Sequence, residues 1–190
     1  MAGRRTRKDS MAETGTALRA AARLLFARDG YAATSVEAIA AEAGYTKGAF
    51  YAHFPAKAAI FLTVLEEGGR ERLEPLVAAI TAAATRAEVE TLLIDWADGC
   101  SQAGLWPMTI LEYSRTAARE GASVETLQAL LVAQWTRLGT VAAPWFGATG
   151  APVTLGALLH EIAYAPATTF VPEPRAGALM RLMLAGLGRG

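Results

Sequence analysis

Residues 34–57 read TSVEAIAAEAGYTKGAFYAHFPAK, and this stretch decides the fold of the first third of the chain. It holds two short segments of helical periodicity with Gly44 between them. In the first segment Val36, Ile39, Ala40 and Ala43 recur at the spacing of a buried helix face. Thr34 or Ser35 starts this helix, and Thr34 with Glu37 has the spacing of a capping box. Gly44 supplies the turn, because glycine reaches positive φ at little cost. The second segment predicts a helix over residues 46–54, with Ala49, Phe50 and Phe54 inward and Tyr45, Thr46, Lys47 and Tyr51 outward.

Upstream, Leu18, Ala21, Ala22, Leu25 and Phe26 form one apolar face, predicting a helix over residues 10–29. Ser10 and Glu13 have capping-box spacing at its start, and Gly30 ends it. Residues 1–9 are expected to be a basic, mobile tail. Downstream, a fourth helix is expected to open at Pro55, a favoured first helical residue. Its apolar face includes Ile60, Phe61, Val64 and Leu65. Gly68, Gly69 and Pro75 predict a bend or break between residues 67 and 75; a helix end followed by a new helix over 74–84 is the other reading. Further helices are expected over residues 87–103, 107–120, 123–142, 153–165 and 175–187, with Ser123 capping the third of these and Pro166 ending or kinking the fourth. The expectation is an all-α chain of about nine helices. It divides into a three-helix helix-turn-helix domain over residues 1–57 and a helical domain over residues 58–190.

Composition agrees with a folded helical protein. Hydrophobic residues make up 53% and charged residues 19%, which excludes a disordered chain. The net charge is +0, but residues 1–57 hold nine Lys/Arg against five Asp/Glu, and residues 58–190 hold nine against thirteen. A basic first third carried on an acidic remainder suits a module that meets a polyanion. Cys100 is the single cysteine, so no intrachain disulfide forms and a reducing, cytoplasmic setting is expected. The longest uncharged stretch, residues 138–160, is interrupted by glycines and prolines and reads as helix, loop and helix, with no membrane span.

The outward groups of residues 34–57 suit double-stranded DNA. Lys47 and Lys57 are placed for phosphates, and Thr34 and Ser35 offer hydroxyls and N–H groups at a helix start. Tyr51 and His53 can donate to phosphate oxygens, Tyr45 and Thr46 can reach base edges or thymine methyls, and Gly48 allows close backbone approach. With the pattern Gly-Tyr-x-Lys-Gly-x-Phe-Tyr-x-His-Phe at residues 44–54, the segment resembles the DNA-binding end of the tetracycline-repressor (TetR) family of bacterial regulators. The resemblance is strong over residues 18–57 and architectural afterwards. It implies backbone contacts from Thr34, Lys47, Tyr51, His53 and Lys57, and groove contacts from Tyr45, Thr46 and Gly48. Ala56 departs from it, standing where the family usually has a Ser or Asp that caps the fourth helix.

The same resemblance implies that residues 58–190 dimerise and hold a small-molecule effector. The last two helices carry Gly156, Ala157, Ala163, Gly177, Ala178, Ala185 and Gly186 among leucines, which would allow close packing into a four-helix homodimer bundle. Trp96, Cys100, Trp106, Met108, Glu112, Leu131 and Trp135 are candidates to line a largely apolar pocket, with Glu112 facing a cationic ligand. Each of these residue types is also common in a plain core, and His160 and Cys100 are expected to be packed. Two histidines and one cysteine give no metal-ligand spacing, and no nucleophile motif or phosphate-cradling loop is present. No enzyme, metal or cofactor is therefore expected. The expected activity is a ligand-responsive regulator, most simply a repressor on a palindromic operator. A helical adaptor with a vestigial helix-turn-helix is the alternative.

Overall fold

The computed structural model describes residues 7–101, 104, 106–119, 124–147, 150–169 and 173–187. Among them all regular structure is helical: α1 Arg7–Ala33, α2 Val36–Glu42, α3 Lys47–Tyr51, α4 Lys57–Ala82, α5 Arg86–Ser101, α6 Trp106–Arg119, α7 Glu125–Phe146, α8 Pro152–Thr169 and α9 Ala176–Gly186. The helix starts at Arg7, inside the tail expected over residues 1–9, because Arg7, Lys8 and Asp9 contain no helix breaker. Ser10 therefore lies inside α1 and does not cap its start; the cap by Ser123 and the end at Glu120 fall outside the described residues. No described helix is long and apolar enough to cross a membrane.

The chain forms two compact units. The first holds the described residues up to Glu66 together with those of Met108–Ala122, so the segment 58–66 and most of α6 join the helix-turn-helix. Its core is Leu18, Ala22, Phe26, Ile39, Phe50, Ile60 and Phe61, all fully enclosed. An aromatic group adds directional packing. Phe26 meets Phe61 edge-on at 5.2 Å, Tyr31 meets Tyr113 edge-on at 5.1 Å, and Phe61 stacks on Tyr113 at 4.8 Å.

The second unit holds residues 67–107 and 123–190. Its core runs from Leu73, Val77 and Ile80 on α4 through Leu93 and Ala97 on α5 to Leu138, Leu159 and Met180. Helix α9 is held at both ends by α5. Asp98 Oδ1 accepts the Gly177 N–H at 2.7 Å at its start, and Arg86 Nη2 donates to the Leu184 carbonyl at 3.3 Å at its end. A carboxylate at a helix N-terminus and a guanidinium at its C-terminus both complement the helix dipole.

Three predicted breaks are absent, and in α4 and α7 burial beyond the breaker outweighs local preference. Helix α4 runs unbroken through Gly68, Gly69 and Pro75, with Leu73, Leu76, Val77 and Ile80 buried across the region. Gly69 serves a close approach, since a Cβ there would overlap the Gln134 side chain. Helix α7 continues past Pro144 to bury Phe146 and stops at Gly147, whose left-handed backbone directs its N–H to the Ala143 carbonyl. Helix α8 includes Pro166 and ends three residues later, at Thr169. The small residues expected at a dimer seam are partly committed within the chain. A Cβ on Gly139 would overlap the Pro152 carbonyl and one on Gly156 the Trp135 carbonyl, so α7 and α8 meet backbone to backbone; Gly177 sits against Asp98.

Candidate nucleic-acid interface and effector residues

The interface is built from local turn chemistry. Ser35, not Thr34, caps α2, its Oγ accepting the Ala38 N–H at 3.0 Å. At the other end Gly44 takes φ 75°, the Gly44 N–H bonds the Ala41 carbonyl and the Tyr45 N–H bonds the Ala40 carbonyl. This paired closure is a Schellman motif, and it sets the angle at which α3 leaves α2. Thr46 then caps α3, accepting the Ala49 N–H at 3.2 Å. Helix α3 has 5 residues and stops at Tyr51, short of the predicted 54, while Phe50 and Phe54 remain buried. Helix α4 starts at Lys57 rather than Pro55; Ala56 offers no side-chain cap, and its carbonyl accepts the Ala59 N–H at 3.1 Å.

The expected DNA-facing residues divide into two groups. Ser35, Tyr45, Thr46, Lys47, Gly48 and Tyr51 are exposed, forming a short outward edge around α3. Thr34, His53 and Lys57 face inward to different degrees. Thr34 is 2% exposed, and its hydroxyl donates to the Gly30 carbonyl at 2.7 Å, so it shapes the turn and presents no side chain to a phosphate. Lys57 is half-buried, donates to the Tyr31 and Thr34 carbonyls at 2.8 Å each, and lies 4.2 Å from the centre of the Tyr31 ring. It fastens the α1–α2 junction. His53 is half-buried with its ring against Phe54.

Lys47, by contrast, is on the outside. Its ammonium pairs with Glu37 and sits 5.9 Å from the Tyr51 ring centre. The hydrogen bond between them raises the Lys47 pKa and lowers that of Glu37. Both side chains are more than half exposed, so water and salt screen the pair heavily. A phosphate arriving at Lys47 competes with Glu37.

The seven effector candidates are divided between the two units. Met108 and Glu112 belong to the first unit. Glu112 is committed there: its Oε2 accepts the Tyr31 N–H at 2.8 Å and the Ala32 N–H at 3.1 Å. It thus caps the short turn of helix that follows Gly30, where the backbone leaves helical geometry at φ 80°, ψ 178°. The role expected for it, facing a cationic ligand, is corrected by these bonds. Trp96, Cys100 and Trp135 belong to the second unit and gather around two residues the sequence reading left out of the pocket. The Tyr164 hydroxyl interacts with Cys100 and Arg72, its ring is 6.4 Å from Trp96 and 4.6 Å from His160, and His160 is 6.1 Å from Trp135. Burial raises the pKa of both the Tyr164 hydroxyl and the Cys100 thiol. The four-residue spacing of His160 and Tyr164 was the available signal. Leu131 and Trp106 are half-buried elsewhere on α7 and α6. Apart from these, an open groove of about 570 Å³ runs along Ala79, Ala83, Ala87 and Leu92.

Residues 18–64 match the family model described as bacterial regulatory proteins, tetR family. A curated relative, the uncharacterized HTH-type transcriptional regulator YerO of Bacillus subtilis (strain 168), is 52% identical over 42 residues, which is 22% of this chain and 14% of YerO. The match therefore spans only a small part of that relative's length. Among solved structures, SCO7518 of Streptomyces coelicolor A3(2) aligns with TM-score 0.71 and 21% identity over 94% of this chain and 99% of its own. The transcriptional regulator FadR from Bacillus subtilis, solved in complex with stearoyl-CoA, aligns with TM-score 0.66 and 20% identity over 92% and 98%. At these identities the likeness is one of fold.

Proposed function

We propose that this chain, whose residues 18–64 match the model of the tetR family of bacterial regulatory proteins, is a dimeric repressor that reads a palindromic operator and leaves it when a small molecule binds the second unit. One observation carries the reading: Tyr45, Thr46, Lys47, Gly48 and Tyr51 are all exposed along one short capped helix and the turn before it. A helix held this way enters a major groove, with Lys47 and Tyr51 on phosphates and Tyr45 and Thr46 toward the bases. A single such helix touches few bases. Two of them, one turn of DNA apart, account for operator specificity. Leu158 on α8 and Leu182 on α9 are 42% and 76% exposed, and they support a homodimer through these two helices. A fold shared with a regulator solved in complex with stearoyl-CoA supports an effector in the helical unit. Effector release requires only that the ligand bind the two states with different affinity.

Selection of duplexes from a random pool tests the reading. A two-fold symmetric motif should emerge, its binding should fall steeply with added salt, and the complex should contain two chains per site. Recovery of no motif, with no salt-dependent binding to duplex DNA, would leave the adaptor reading in its place.

A further inference from the structure

Four nitrogens of the second unit are buried without a hydrogen-bond partner: Arg72 Nε, Trp96 Nε1, Trp135 Nε1 and His160 Nδ1. Native proteins leave few buried polar groups unpaired, and such groups mark strain or a missing partner. A chain of contacts links their side chains: Tyr164 interacts with Arg72, its ring centre stands 6.4 Å from that of Trp96 and 4.6 Å from that of His160, and the His160 ring stands 6.1 Å from that of Trp135. The residues come from α4, α5, α7 and α8, so the cluster is a convergence of helices. Arg72, Trp96 and Trp135 are half-buried as residues, and the cluster therefore reaches the surface of the unit.

The chemistry of these atoms is one-sided. Arginine and the indole N–H can only donate, so whatever satisfies Arg72, Trp96 and Trp135 must accept. Arg72 is a charge that acts on both Tyr164 and Cys100. His160 differs. Its Nδ1 lies 3.5 Å from Oε1 of Glu161, a side chain 70% exposed, so it faces an acid already and adds no demand for another. A planar carboxylate matches the guanidinium fork and the indole donors, and the surrounding rings favour an apolar or aromatic body.

We infer that the Arg72–Trp96–Trp135 cluster holds the carboxylate end of an effector whose remainder is apolar. This rests on the proposed effector role of the second unit, and it reverses the cationic preference that Glu112 suggested.

The test uses the full chain and a panel of acids, alcohols and amines sharing phenyl, naphthyl or decyl groups, read by thermal shift and tryptophan fluorescence. Acids should raise Tm and change the emission, binding at least about tenfold more tightly than the matched alcohols, with no binding by the amines. Arg72→Gln should remove that preference, weakening the acids to the affinity of the matched alcohols. Should Arg72→Gln fail to fold, Trp96→Phe and Trp135→Phe each remove one donor and keep a ring, and each should weaken the acids alone. Amines or alcohols binding as well as the acids, or acid binding indifferent to these variants, overturns the inference while the effector reading stands. Absence of binding by every member of the panel overturns both.

Discussion

Glu112 and Tyr31 are joined across 81 residues of sequence by a hydrogen bond of 2.8 Å from the Tyr31 N–H to the Glu112 carboxylate. The bond lies where α1 breaks at Gly30, and the Ala32 N–H shares the same oxygen. Glu112→Ala leaves both N–H groups without their acceptor. It should lower stability by about 1–2 kcal/mol in urea denaturation, the usual range for losing a cap. Glu112→Gln keeps an acceptor and should lose less. Gly30→Ala should be at least as damaging, since its Cβ would come within 2.6 Å of the carboxylate and its φ of 80° disfavours any side chain.

Lys47 and Lys57 should separate cleanly into binding and stability. Lys47 lies on the surface in a screened pair with Glu37, whereas Lys57 holds two carbonyls. Lys47→Ala should shift the unfolding free energy by less than about 0.5 kcal/mol and reduce the salt slope of operator binding by about one. Lys57→Ala should cost about 1–3 kcal/mol of stability, because hydrogen bonds to a charged group are lost. Equal stabilities for the two variants, measured by denaturation, would count against this division.

Glu37 should act as a brake on DNA binding. Its hydrogen bond to Lys47 holds its pKa below the ordinary carboxylate range. Glu37→Gln should therefore tighten binding to any duplex, by an increment that shrinks with added salt, and fluorescence anisotropy at two salt concentrations measures it. The pair's share of stability is present above the pKa of the unfolded carboxylate and fades as pH falls through the lower folded value. Only acid below the ordinary carboxylate range should thus mimic the substitution.

Cys100 is 1% exposed, and burial raises its pKa, so the native thiol should resist Ellman's reagent. Its reaction at pH 8 should be at least about a hundredfold slower than in the denatured chain. The pH dependence has a definite sign. As pH rises past the unfolded thiol's pKa, the unfolded chain gives up a proton that the native chain keeps, and stability falls until the folded pKa is passed. Tyr164 acts in the same direction at higher pH. Cys100→Ala should flatten the first part of that alkaline decline in a Tm series.

The helix-turn-helix was legible because its determinants are local. Gly44, the Ser35 and Thr46 caps and the apolar spacing of Val36, Ile39 and Phe50 all lie within a few residues of what they fix. Continuity of α4, α7 and α8 was not legible. Pro75, Pro144 and Pro166 each argue for a break; burial of Val77 and of Phe146 beyond the first two outweighs them, and α8 runs only three residues past the third. Trp96, Cys100 and Trp135 connect only through Tyr164 and His160, which lie on α8 at separations from them that no periodicity reveals. Glu112 was misplaced for the same reason: nothing near it in sequence announces Tyr31.

The carboxylate of Glu112 also bears on where this chain can be cut. A fragment ending at Glu66 keeps every exposed group of the reading edge, yet it loses the acceptor for the Tyr31 and Ala32 N–H groups and the Tyr113 ring that stacks on Phe61. The reading head is therefore discontinuous in sequence. Its structural member Tyr113 is made about sixty residues after Tyr51, and a ribosome completes it only after α5 has been synthesised.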